Sequence, residues 1–157
     1  MRPSKLSNIF NLNQVLNLNV RNKRQLFQEL SIWSSLLNKN IEDKILFNEI
    51  VKRECLGNTS IGNSIAIPSA IIEKITKPFV LFSLLTKPII YNSNDKRNVD
   101  IVSLVISPSY LSSKDLYFLS NFSRIIKNGN IPNMPKGCGS LDPILAVLSN
   151  FNFSSAT

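Results

Sequence analysis

The sequence predicts an α/β fold, a mixed β-sheet sandwiched by helices, and three observations predict it. Two stretches with apolar residues at helical spacing occupy the first 56 positions. Two nearly continuous apolar runs of strand length follow them. Further segments with helix-start signals come after those runs. Runs that are apolar at almost every position suit central strands covered on both faces.

Taken in order, Ile9 to Val20 alternates loosely and reads as an edge strand or a turn-rich lead-in. Asn22 then offers a helix N-cap, with Gln25 in capping-box position. Leu26, Leu30, Trp33 and Leu37 follow at helical spacing and form the expected inward face, which Asn38-Lys39-Asn40 ends. A second helix is expected from Asn40, with Asp43 at its third position. Its inward stripe is Ile41, Ile45, Leu46, Ile50 and Val51, and Gly57 is its stop. A tight loop from Gly57 to Ser64 leads into a short strand, Ile65-Ala66-Ile67, closed by Pro68.

Phe79 to Leu85 and Asp100 to Ser107 are the two apolar runs. Between them, Ile89-Ile90-Tyr91 reads as a short edge strand and Asn92 to Asn98 as a polar turn. Ser112 or Ser113 caps a third helix with Leu116, Leu119, Phe122 and Ile126 inward. Asp142-Pro143 starts a last helix through Leu148, after a Gly- and Pro-rich loop that contains Cys138. The chain is expected to be one domain over 1–157, with 1–20 as a lead-in and 128–157 as a divergent C-terminal part.

Composition narrows the chemistry. Hydrophobic residues make up 43% and charged residues 18%, a globular balance. The formal charge of +8 raises the prior for anionic partners, but no run of five basic residues appears, so a mixed solvated surface is the plainer reading. Two cysteines without C-x-x-C spacing argue against a zinc site or a disulfide framework. No histidine is present, which excludes imidazole ligation and imidazole acid–base chemistry. No cofactor and no metal are therefore expected. The N-terminus lacks a clean apolar core and no apolar stretch reaches spanning length, so a cytoplasmic protein without a membrane span is expected.

The segment from Arg53 to Ala70 carries the identity. Arg53, Glu54, Leu56, Thr59, Ile61, Gly62, Ile65, Ala66, Ile67 and Pro68 stand in the register R-E-x-L-x-S/T-T-G-I-G-x-G-I-A-I-P-H. In this the chain resembles the type-2 enzyme IIA domains of the bacterial phosphotransferase system, the fructose, mannitol and nitrogen-regulatory kinds. Its freestanding form favours the nitrogen-regulatory branch. The resemblance implies a mannitol/fructose-like enzyme IIA fold. It also implies a phosphocarrier protein as partner, and regulatory targets such as sensor kinases or potassium transporters.

The departures from the pattern bear on function. The position of the family's phosphoacceptor histidine is Ser69, and the position matching a second family histidine is Asp115. Two signature glycines are Ser60 and Ser64. A serine hydroxyl needs a base to become nucleophilic, and its phosphate ester is a poor onward donor. The resemblance, so modified, implies a regulatory protein that binds other proteins and does not relay phosphate through histidine. An active carrier using Ser69 or another acceptor is the enzyme alternative. An anion- or nucleic-acid-binding protein is a third reading, suggested by charge alone.

Each site residue also has a plainer explanation. Arg53 is the family's phosphate-side cation or a cation placed well at a helix C-terminus. Glu54 is expected on the helix surface. Thr59 contacts the acceptor region or serves turn chemistry, and Gly62, Asn63 and Pro68 shape the loop at the site. Ser69 is inert filler or the acceptor of a kinase. Asp115 caps a helix with Ser112, or pairs with Arg53.

Overall fold

The structure is a computed structural model of the chain and describes residues 15–128. In chain order the elements are β1 (Leu16–Leu18), α1 (Lys23–Leu37), α2 (Asp43–Leu56), β2 (Ser60–Gly62), β3 (Ile65–Ala66), β4 (Ser69–Ile71), β5 (Phe79–Ile89), β6 (Val99–Ser107) and α3 (Ser113–Asn128). The expected last helix, the Cys138 loop and residues 9–14 of the lead-in lie outside the described residues.

The two apolar runs form the middle of one mixed sheet, ordered β1-β5-β6-β3-β2. β1 lies parallel to β5 at an edge, as the lead-in suggested, and β5 and β6 run antiparallel. Strands β3 and β4 both lie parallel to β6, one after the other along the same strand. Successive strand residues face opposite sides, and both sides are filled here. Phe79, Leu81, Val102, Leu104 and Ile106 join Leu26, Phe27, Leu30, Leu46 and Ile50 in one cluster beneath α1 and α2. The alternate residues Val80, Phe82, Ile101 and Val105 are buried too, as are Phe122 and Ile126 of α3. Each such fully buried side chain contributes roughly 1.5–3 kcal/mol.

Helix α1 begins as its sequence requires. Asn22 Oδ1 accepts from Gln25 N at 2.8 Å, and Gln25 Oε1 accepts from Arg21 N at 2.8 Å. Its inward stripe, however, is Leu26, Phe27, Leu30, Ser31 and Ser34, while Trp33 is 38% exposed. Ser31 enters the core because its hydroxyl donates to Phe27 O at 2.7 Å and so needs no solvent. Helix α2 starts at Asp43 rather than Asn40 and buries only Leu46 and Ile50, with Ile41 buried just before it. Ile45 and Val51 face outward, and so does Leu116 of α3. Gly57 ends α2 with extended backbone (φ 165°), so the stop needs no left-handed residue.

Two strand expectations are corrected. Ile89 is not part of a separate edge strand: β5 continues through it, and Ile89 pairs with Val99 at the sheet centre. The register shifts between Leu84 and Ile89, and Pro88, which has no N–H for a ladder, falls within that irregular stretch. The second correction adds a strand. Ser69, Ala70 and Ile71 pair with Val105, Ile106 and Ser107. Pro68 separates β3 from β4 without leaving the sheet, because its carbonyl accepts from Val105 N at 3.0 Å.

Candidate functional site

The signature segment runs from the last turn of α2 to the first residue of β4, and its shape is set from Glu54. The Glu54 carboxylate accepts from Thr59 N at 3.0 Å through Oε1 and from Thr59 Oγ1 at 2.6 Å through Oε2. Lys23 Nζ lies 2.7 Å from the same Oε1, with the Glu54 side chain only 9% exposed. Thr59 Oγ1 also meets the Tyr91 hydroxyl at 2.7 Å. The ammonium of Lys23 sits 4.1 Å from the Tyr91 ring centroid, which adds a cation–π contact. The expected surface position of Glu54 is thus corrected: it is a partly buried hub joining α1, α2, the loop and the end of β5.

Tyr91 is fully buried, and Phe27 packs on it edge to face with centroids 6.3 Å apart. Burial, above all, pushes its phenol well above the ordinary range, and the neighbouring Glu54 charge acts in the same direction. The phenol therefore stays protonated and can donate into the hub. Tyr91 O accepts from Asn58 Nδ2 at 2.7 Å, which fastens the start of the loop to the end of β5.

Beyond Thr59 the loop turns through three consecutive residues of positive φ: Gly62 (88°), Asn63 (55°) and Ser64 (67°). Left-handed backbone suits glycine and strains serine. Asp95 holds this turn from the β5–β6 loop, its Oδ2 accepting from Asn63 N at 2.9 Å and its Oδ1 from Arg97 N at 3.1 Å. The Arg97 N–H and then the Asn63 N–H keep the Asp95 carboxyl below the usual carboxylate range. Ser64 O in turn accepts from Asp100 N and Ile101 N at 3.0 and 3.2 Å, which seats β3 beside β6.

The loop closes where the candidate acceptor stands. Ile67 N donates to Thr59 O at 2.9 Å, two residues before Ser69. A continuous path of bonds therefore runs from Glu54 through Thr59 to the backbone that presents Ser69. Ser69 is partly exposed, opens β4 and pairs with Val105. Among the described residues its hydroxyl has no side-chain hydrogen-bond partner, and so no base aligned on it.

Arg53 and Asp115 do not join. Arg53 is exposed and its Nη1 donates to Gly57 O at 3.1 Å, which closes the C-terminus of α2. Asp115 sits in the first turn of α3, where its N–H donates to Ser112 Oγ at 3.1 Å. Among the described residues no ion pair links them. The structure thus gathers Thr59, Gly62, Asn63, Pro68 and Ser69 into one braced unit, with Arg53 at its start. Lys23, Tyr91 and Asp95 were missed from the sequence, since none lies in the signature. No helix among the described residues is long and apolar enough to cross a membrane.

Comparison with known proteins agrees in family and fold. The family described as phosphoenolpyruvate-dependent sugar phosphotransferase system, EIIA 2, matches residues 8–151. A nitrogen regulatory protein of Bradyrhizobium diazoefficiens is 31% identical over 132 residues, 84% of this chain and 86% of that protein. One from Klebsiella oxytoca is 33% identical, covering 76% of each chain. Among solved structures, the nitrogen regulatory protein IIA-Ntr of Neisseria meningitidis superposes with a TM-score of 0.78 at 23% identity, over 92% of this chain and 99% of its own. The IIA mannitol structure of Escherichia coli superposes with a TM-score of 0.67 at 14% identity, over 86% and 95%. These two structures share the fold.

Proposed function

The chain belongs to the type-2 EIIA family of the phosphoenolpyruvate-dependent sugar phosphotransferase system, and on that premise we propose that it is a regulatory member of the nitrogen-related branch that acts by binding proteins and relays no phosphate through histidine. One observation carries this reading: the chain has no histidine, and Ser69 stands at the signature's acceptor position. Imidazole forms a phosphoramidate that passes its phosphoryl group onward, whereas a serine ester holds it.

The geometry supports the same reading. Ser69 has no aligned base among the described residues, and neither Arg53 nor Asp115 is bonded to it. The bracing of the loop by Glu54, Thr59 and Tyr91 is intact all the same. A loop held in one shape, with no base aligned on Ser69, suits recognition rather than transfer. Without an acceptor the domain stays in one binding state, since no phosphorylation shifts its population. The proposed partners are the phosphocarrier protein, as a docking protein only, and regulatory targets such as sensor kinases or potassium transporters, in a cytoplasmic setting.

Affinity capture from the native cell tests the proposal. Extract is divided and supplemented, or not, with phosphoenolpyruvate, enzyme I and carrier protein. Equal recovery of the same target from both halves is expected. Recovery that depends on phosphoenolpyruvate would contradict it.

A further inference from the structure

The loop between β5 and β6 forms a second feature, separate from Ser69. A cleft of about 340 Å³ is lined by Ile90, Asn92, Ser93, Lys96, Arg97 and Asn98. Its donors are unspent. Neither Lys96 nor Arg97 forms an ion pair among the described residues, and the Asn92 and Asn98 side chains make no hydrogen bond there. Ser93 is buried beneath this cleft.

The Asp95 carboxylate does not neutralise these cations. Asp95 gives its two oxygens to the Arg97 and Asn63 N–H groups. Backbone N–H groups meet most of its charge and the Arg97 cation contributes less, so neither cation is held in an ion pair among the described residues. Two cations and two amides around a small cleft fit a compact oxyanion with several acceptor oxygens. Ile90 is 69% exposed at the same cleft and offers apolar contact to whatever organic group the anion carries.

We propose that this cleft binds the phosphate group of a small phosphate monoester, held by the Lys96 and Arg97 side chains. The site reports to the signature loop, because the Arg97 backbone N–H and the Asn63 N–H share the Asp95 carboxylate. An anion that moves Arg97 therefore alters the bond that holds Asn63. This inference concerns a different site from the proposed loss of relay chemistry and stands or falls separately.

The test is a titration of the full ¹⁵N-labelled chain at constant ionic strength with inorganic phosphate, with phenyl phosphate, and with sodium chloride as control. Both phosphates are expected to shift the amide resonances of Lys96, Arg97 and Asn63 saturably, phenyl phosphate at lower concentration. Each of Lys96→Ala and Arg97→Ala is expected to weaken binding about tenfold, the loss of one charge-assisted contact. Thermal denaturation shows that each variant is folded. Absence of saturable shifts, shifts that chloride reproduces, or unchanged affinity in the folded variant that combines Lys96→Ala with Arg97→Ala would each overturn the proposal.

Discussion

Glu54 holds Thr59 by both of its donors, the backbone N–H at 3.0 Å and the hydroxyl at 2.6 Å. The two residues belong to the same signature, five positions apart, and this pair converts a helix end into a fixed loop. Lys23 completes the charge balance from another helix, at 2.7 Å.

Removing the Glu54 carboxylate should therefore be strongly destabilising. Glu54→Ala leaves the Thr59 donors and a half-buried ammonium without their acceptor, an effect of about 3 kcal/mol. Glu54→Gln keeps one acceptor oxygen and should lose less. Urea denaturation of both variants checks the order.

The Lys23–Glu54 pair should couple more strongly than Lys74–Glu42. The second pair is 3.2 Å apart with side chains 65% and 58% exposed, a setting worth about 0–1 kcal/mol. A double-mutant cycle on each pair compares them. Equal coupling energies would mean that Lys23 contributes no more than a surface cation.

Alkaline stability should depend on Tyr91. Its phenol is raised above the ordinary value of 10.0, chiefly by burial. Above that pH the unfolded chain gives up the proton while the folded chain keeps it. Stability is thus fully present below about pH 10 and falls as pH rises through that range. Tyr91→Phe loses the Thr59 contact, about 1 kcal/mol at neutral pH, and should show a shallower fall. Denaturation midpoints of both chains from pH 8 to about 11 measure the difference.

Backbone strain in the loop gives a prediction of opposite sign. Ser64 holds φ 67° at a position where the signature has glycine. Ser64→Gly relieves roughly 1–2 kcal/mol of left-handed strain against a smaller entropic loss in the unfolded chain, for a net gain of about 0.5–1 kcal/mol. Gly62→Ala, at φ +88°, should destabilise. Thermal melts of the two variants should move in opposite directions.

The elements of this fold were largely legible, and the reasons for the exceptions are physical. The Asn22 cap and the apolar runs of β5 and β6 are local signals, and they place α1 and the sheet centre correctly. Which stripe of a helix faces inward is less local. Trp33, Ile45, Val51 and Leu116 fit a helical period yet face outward; in α1, Ser31 and Ser34 take buried positions instead, Ser31 with its hydroxyl bonded to Phe27 O. β4 was missed because three residues after a proline carry no run of their own; pairing with β6 makes them a strand. The site divides in the same way. Signature positions marked the loop, but the groups that brace it, Lys23, Tyr91 and Asp95, come together only on folding.

Loss of the relay is tested most directly by intact-mass measurement after incubation with phosphoenolpyruvate, enzyme I and the carrier protein. The mass of the chain is expected to stay unchanged while a histidine-bearing family member treated alongside gains one phosphoryl group. A stoichiometric phosphoryl gain on this chain, abolished by Ser69→Ala or not, would contradict it.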